Sequence, residues 1–249
     1  VFNCAGAVSA AKTTVINPMS AITANLVINA RLMEAAAVEN VERMLVFSSG
    51  TTAYPPFDYP VKEEDMWKGE PAPVYFGYGW MRRYIELLAR FIAGKTKTKI
   101  AICRPTAVYG RYDDFNPDTG HVVPSLVRRA VEKASPYVVW GTGNEVRDFL
   151  HISDLAEGCL LLLEKYPESD PVNIGYGTGT TIKEIVNIVL EAAGYGDANV
   201  IFDSSKPTTI PVRLVDISKA RRILGFNPRV SLRDGIRDLV AWYEKDLLK

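Results

Sequence analysis

Tyr78 and Arg82 stand four residues apart in Tyr78-Gly-Trp-Met-Arg82, with Glu86 one turn further on. In a helix that spacing puts the phenol and the guanidinium on one face. A permanent cation beside a phenol stabilises its ionised form. Tyr78 is therefore a candidate to give or take the proton that accompanies hydride transfer at a carbinol carbon. Alone, such a pair is an ordinary helix-surface arrangement. Its weight comes from what flanks it.

The flanks are three apolar segments that end in small, polar or hydroxylated residues. Val1 to Cys4 runs into Ala5-Gly6, Arg43 to Ser49 runs into Gly50-Thr51-Thr52, and Lys99 to Cys103 runs into Arg104-Pro105-Thr106. Near-continuous apolar runs of this length suit the buried strands of a parallel sheet. Between them lie helix-length stretches. Ser20 to Ala37 carries a stripe of Ile22, Leu26, Ala30 and Met33, and Tyr78 to Phe91 has Trp80, Tyr84, Leu87 and Leu88 available for packing. The alternation predicts an α/β fold, a Rossmann-like doubly wound parallel sheet. Its strand carboxyl ends share one edge, which is where open sheets of this kind bind ligands.

Beyond Gly110 the texture changes. Asp113 to Thr119 is polar and turn-rich, and Val122 to Val131 reads as a helix bearing Arg128 and Arg129. Strands are expected at Val138–Trp140, Phe149–His151, Pro171–Gly175, Val200–Phe202 and Val212–Val215. Helices are expected at Leu155–Leu163, Ser218–Leu224 and Ser231–Leu248, and Thr181-Ile-Lys-Glu184 forms a capping box before a helix to Ala193. Gly141-Thr-Gly143 and Gly175-Tyr-Gly177-Thr-Gly179 lack the spacing of a phosphate loop and read as turns.

Composition narrows the class. The 249 residues are 47% hydrophobic with 29 basic and 29 acidic side chains, so no charge excess points to nucleic acid and no apolar run reaches membrane length. Cys4, Cys103 and Cys159 read as core residues of a reducing, cytoplasmic protein. With His121 and His151 the only histidines, no metal site is expected. The opening Val1-Phe2-Asn3-Cys4-Ala5-Gly6 resembles the body of a buried strand, so an amino-terminal part of a longer protein is expected to be missing.

Several segments, in order, resemble the extended short-chain dehydrogenase/reductase superfamily of NAD-dependent epimerases and dehydratases. They are Asn17-Pro18 with Asn25, Ser48-Ser49 to Tyr54-Pro55, Tyr78 to Arg82, Arg104-Pro105 to Tyr109-Gly110, and Arg147 to Asp154. Gly120 to Arg129, Val139 to Gly143 with Arg147, and Phe202 to Pro207 are similar to segments of the GDP-L-fucose synthase family within it. The resemblance implies residues 1–110 as the remainder of a dinucleotide-binding Rossmann domain and 111–147 as a substrate-binding segment. It implies a return to the Rossmann domain at 148–175, and at 176–249 mainly a smaller α+β substrate-binding domain.

What the resemblance implies can be carried over residue by residue. Tyr78 would be the acid/base at the sugar oxygen, Arg82 would stand where the family has a lysine, and His121 would protonate a sugar carbon. Ala5, Gly6, Asn25, Ser48, Ser49, Tyr78, Arg82 and Pro105 would line the site of NAD or NADP. His121, Arg129, Trp140, Arg147 and Lys206 would hold a nucleotide-sugar substrate, arginine forks being suited to a diphosphate. A homodimer built on the helix carrying Trp80 and Leu87 is also implied.

There are departures from the pattern. The usual catalytic Ser or Thr position falls on Gly50, beside Thr51, and the usual cysteine position falls on Thr52. Thr51 and Thr52 are therefore the candidate hydroxyls. The implied activity is a nucleotide-sugar epimerase/reductase acting through a keto-sugar. Alternatives are a related C4-epimerase or dehydratase in which His121 takes no part, and a catalytically impaired sugar-nucleotide-binding protein. The glycine fingerprint that grips a dinucleotide is expected in the missing part, so cofactor binding by these residues alone is expected to be weak.

Overall fold

The computed structural model describes residues 1–7, 17, 19, 21–116, 119–206 and 208–247. Pro18, Ser20, Pro117, Asp118, Pro207 and Leu248, which belong to segments singled out above, lie outside the described residues.

The main sheet is parallel throughout, in the order β1 (Phe2–Asn3), β2 (Arg43–Phe47), β3 (Lys99–Pro105), β8 (Val172–Ile174). Side chains along a strand alternate faces, and here the alternation divides two cores. Met44, Val46, Ile100 and Ile102 pack beneath α1 (Ile22–Val38) and α2 (Phe76–Lys95). Leu45, Ala101 and Cys103 point the other way, towards α4 (Ile152–Lys165) and α6 (Ser218–Leu224). Helices on both faces make this the doubly wound arrangement the alternating pattern predicts.

A further core gathers α3 (Val122–Val131), α5 (Ile182–Ala192) and α7 (Leu232–Asp246) around β5 (Tyr137–Trp140). Strand β10 (Val200–Asp203) pairs with β5, and β4 (Ala107–Tyr109) pairs with β7 (Phe149–His151). A small sheet joins β11 (Val212–Arg213), β6 (Val146–Arg147) and β9 (Thr180–Thr181). The capping box at the start of α5 forms, with Thr181 Oγ1 accepting from Glu184 N at 3.1 Å and Glu184 Oε2 accepting from Thr181 N at 2.7 Å. Gly141, Gly143 and Gly177 adopt positive φ, as turn residues do.

Three expectations need correction. On α1 Ile22, Leu26 and Met33 pack in or against the core as expected, but the side chains buried beside Met33 and Ala36 include two polar ones, Asn25 and Asn29. They are satisfied internally: Asn3 Nδ2 donates to Asn29 Oδ1 at 2.9 Å, and Asn29 Nδ2 donates to the Asn25 carbonyl at 2.8 Å. On α2, Trp80, Tyr84 and Leu87 are exposed, and the face against the sheet is Met81, Ile85 and Ala89. The phase of that helix is fixed by two buried charges, Arg83 and Glu86, each with a partner off the helix. Cys4 is exposed at the end of β1, whereas Cys103 and Cys159 are core residues.

Candidate active site

The carboxyl ends of β1, β2 and β3 open into a cleft of about 660 Å³. One wall holds Ala5, Gly6, Ser48, Ser49, Thr51, Thr52, Tyr78, Arg82 and Pro105; the opposite wall holds His121, Arg129, Trp140 and Arg147. Residues far apart in sequence thus meet because parallel strands all deliver their ends to one edge.

Arg82 grips Tyr78. Its Nη2 and Nε donate to the phenolic oxygen at 2.6 and 3.1 Å, and its Nη1 donates to the Phe47 carbonyl at 3.0 Å. With both acceptor sites of the phenol engaged, its own O–H is left to point elsewhere. The β2 end adds a second polar feature. Ser49 Oγ and Thr52 Oγ1 lie 2.5 Å apart, and Thr52 N donates to Ser49 Oγ at 3.1 Å.

Gly50 sits between them with no room for a side chain. Its N–H donates to the Pro105 carbonyl at 2.9 Å, and a Cβ would stand 2.3 Å from that same oxygen. Gly79 allows a close approach from α2, where a Cβ would lie 2.8 Å from the Thr52 carbonyl oxygen. The segment after β2 is held against that helix by Arg83, which donates to the carbonyls of Ala53 at 2.9 Å and Gly69 at 2.8 Å.

The far wall is cationic. Arg147 on β6 is the register partner of Arg213 on β11. Burial, and then the charge of Arg213, push the Arg147 guanidinium down to about 10. Arg213 is stacked on Tyr75, 4.6 Å from the ring centroid, and donates to the hydroxyls of Tyr75 and Thr209. Arg129 reaches the cleft while Arg128 turns to Glu132 at 2.9 Å. His121 occupies the N-cap position of α3 without a side-chain capping bond, and the Asp113 carboxylate 3.8 Å from its Nδ1 raises its pKa above the usual imidazole value.

Two of the candidates do not reach the wall. Asn25 is buried behind it, where its side chain bonds both the N–H and the carbonyl of Ala7 at 2.9 and 2.8 Å and so fixes that peptide against the cleft. Lys206 lies in the exposed turn after β10, away from the cleft lining. The structure adds Arg213, Tyr75, Asn3, Asn29 and Asp148. An arginine within the otherwise apolar Val212–Val215 was the available signal for the first. Asp148 accepts from the N–H groups of Tyr176 and Gly177 at 2.8 and 2.9 Å, and burial raises its carboxyl to about 6.

Two buried polar atoms on the cleft wall, Ser48 Oγ and Arg213 Nε, have no protein partner. Buried polar groups are normally satisfied, so these atoms suit a polar ligand spanning both walls. Among the described residues no cluster of metal-binding side chains occurs, and no helix is long and apolar enough to cross a membrane.

The model of the NAD dependent epimerase/dehydratase family matches residues 1–175. A probable GDP-L-fucose synthase of Oryza sativa subsp. japonica is 33% identical over 236 residues, covering 93% of this chain and 71% of that protein. The UDP-glucose 4-epimerase of Thermotoga maritima superposes with a TM-score of 0.88 at 26% identity, over 99% of this chain and 77% of that one. A GDP-L-fucose synthetase from Naegleria fowleri shares the fold, with a TM-score of 0.85 at 21% identity over 94% and 75% of the two chains.

Proposed function

The chain belongs to the NAD dependent epimerase/dehydratase family, and we propose that it is a nucleotide-sugar epimerase/reductase in which Tyr78 handles the proton at a keto or hydroxyl oxygen of the sugar. The observation that carries this is the Arg82–Tyr78 contact of 2.6 Å on one wall of a cleft whose other wall presents Arg129, Arg147 and Arg213. A proton-transfer group thus shares one cleft with three guanidiniums, already braced by backbone carbonyls and hydroxyls, whose remaining donors suit a diphosphate.

Ser48, Ser49, Ala5, Gly6, Pro105, Tyr78 and Arg82 would hold the nicotinamide end of NAD or NADP, and the orphaned Ser48 hydroxyl fits a polar group there. When bound, the nicotinamide accepts or supplies hydride. Tyr78 gives its proton to the carbonyl oxygen in reduction or takes it in oxidation, and Arg82 stabilises the phenolate left behind. His121, its pKa raised by the Asp113 carboxylate, would stand in the cleft as a proton donor to a sugar carbon. Trp140 offers an apolar face to a nucleobase. In this reading residues 1–110 and 148–175 serve the dinucleotide, and 111–147 with most of 176–249 serve the substrate.

The likeness to a UDP-glucose 4-epimerase favours a second reading, C4-epimerisation in which His121 takes no part. Purified protein offered GDP-, UDP- and dTDP-sugars with either dinucleotide separates the two. Net change in nicotinamide absorbance supports reduction, whereas an isomeric product with no net change supports epimerisation. Tyr78→Phe is expected to abolish turnover and leave sugar-nucleotide binding nearly intact; surviving turnover would remove Tyr78 from the mechanism.

We also propose a homodimer. Phe76, Trp80, Tyr84, Leu87 and Phe91 form an exposed apolar stripe along α2, and a second copy of the same helix is the self-complementary surface to cover it.

A further inference from the structure

We infer that Asp113 is the positioning residue of His121: its carboxylate takes the Nδ1 side of the imidazole and leaves Nε2 as the atom that hands a proton to the substrate. The inference rests on the reading of His121 as a proton donor and adds the group that aims it. Asp113 Oδ1 lies 3.8 Å from His121 Nδ1 and is itself fixed, accepting from the Asp114 N–H at 2.8 Å. Hydrogen bonds of this kind are often long before substrate binds and tighten in the complex. The ring nitrogen that faces a carboxylate keeps its proton, which sets the role of the other nitrogen. The His121 ring lines the cleft and is half-exposed, so Nε2 remains for a ligand.

Anchors on both sides hold Asp113 in place. Just before it, Arg111 Nε donates to Asp238 Oδ2 on α7 at 2.9 Å, and the Tyr112 ring meets Trp242 edge-on with 5.2 Å between centroids. Just after it, Phe115 packs on Tyr243 at 4.8 Å between centroids, and its carbonyl accepts from Arg128 Nη1 at 3.1 Å. Tyr112 takes φ 66°, a left-handed conformation that a bulky side chain avoids. Outliers of this kind persist where their surroundings over-determine them, and they cluster at functional sites. Gly120, the residue before His121, allows the loop to close, since a Cβ there would stand 2.4 Å from the Asp114 carbonyl oxygen. Carboxylate and imidazole are therefore brought together by separately fixed segments.

In the step this pair serves, the enolate of a keto-sugar takes the proton. The Nε2–H bond breaks, a C–H bond forms with the enolate's electron pair, and the imidazole is left neutral. Asp113 transfers nothing, but its charge favours the protonated ring and so its recharging from solvent. The other charges about the ring are Asp114 and Arg129. Asp114 accepts from Asn116 N at 2.9 Å and Thr119 Oγ1 at 2.5 Å, and Arg129 donates to the Ser125 carbonyl at 3.1 Å. Of the two carboxylates, Asp113 raises the His121 pKa more.

The test is formation of the deuterated epimer from a GDP-4-keto-6-deoxy sugar in heavy water, followed by NMR across pH. It compares the unaltered protein with His121→Gln, Asp113→Asn and Asp113→Glu. His121→Gln should lower the rate by about 10²–10⁴. The unaltered protein should slow as pH rises through the His121 titration. In Asp113→Asn that limb should move to lower pH, a loss of roughly tenfold along it, with KM little changed. Asp113→Glu should hold the limb nearer its original place. A side chain that merely supported the loop would lower the rate alike at every pH. A limb unmoved in Asp113→Asn, with the epimer lost in His121→Gln, overturns the positioning role alone. Epimer formation that survives His121→Gln sinks the proton-donor reading and the inference with it. If this sugar yields no epimer, NMR titration of the two histidine rings decides, His121→Gln identifying the signal. The His121 midpoint should fall in Asp113→Asn, and an equal midpoint overturns the pairing.

Discussion

Arg104 and Glu86 meet two-on-two in the interior between β3 and α2, with Nε to Oε1 at 2.8 Å and Nη2 to Oε2 at 2.6 Å. Both side chains are 0% exposed. Arg104 Nη1 also donates to Tyr54 Oη at 2.7 Å and to the Glu63 carbonyl at 2.8 Å, so one guanidinium ties the helix carrying Tyr78 to the loop that follows β2. Removing one partner of a buried pair strands the other charge. Glu86→Ala is expected to cost about 3–5 kcal/mol, read as a lower urea midpoint. Glu86→Gln, which keeps one acceptor, should fall between.

Arg82 spans two acceptors, the Tyr78 hydroxyl and the Phe47 carbonyl. An ammonium on a lysine stem is a compact charge that cannot reproduce that fork. Arg82→Lys keeps the charge and loses the fork, so its turnover should fall by no more than about tenfold. Arg82→Ala, which removes the charge, should lose about 100-fold or more. Steady-state kcat distinguishes the two, and equal losses would show that charge is not what Tyr78 requires.

Asp148 gives a pH signature. Burial raises its carboxyl from 3.8 to about 6 in the folded protein. A raised folded pKa means that the folded state binds the proton more tightly than the unfolded state does. The associated stability is fully present below 3.8 and is lost as pH rises through about 6. That interval corresponds to about 3 kcal/mol. Denaturation of the native protein and of Asp148→Asn between pH 4 and 7 should show the native protein gaining on the variant as pH falls. Parallel curves would contradict the burial argument.

The stripe on α2 predicts a concentration-dependent dimer. Leu87→Glu and Phe91→Glu place charge on exposed apolar positions that make no core contact. Light scattering should report a dimer for the unaltered chain and a monomer for the double variant, with circular dichroism unchanged. A monomer in both cases would assign the stripe to another partner.

Much of this was legible in advance, for a physical reason. Parallel strands buried on both faces announce themselves as apolar runs, and their ends must share an edge, so Ser48, Ser49, Tyr78, Arg82 and Pro105 could be brought together from sequence. Less legible were features that depend on what lies across a gap. Trp80, Tyr84, Leu87 and Leu88 are legible as packing residues, but only Leu88 packs against the core, because Arg83 and Glu86 set the phase of the helix by finding buried partners on other segments. Arg213 is visible only once β11 is laid beside β6. Asn25 is expected from sequence to line the cofactor site, whereas its side chain is spent on the Ala7 peptide.

Arg147 and Arg213, side by side in register, set a condition on the resting molecule. The charge of Arg213 outweighs that of the nearby Glu145 carboxylate at Arg147, so the two guanidiniums repel and a polyvalent anion between them relieves the repulsion. Melting temperature should then follow the buffer, rising in phosphate or pyrophosphate more than in chloride at matched ionic strength. The architecture that recognises its ligand thereby makes the ligand a part of its own durability.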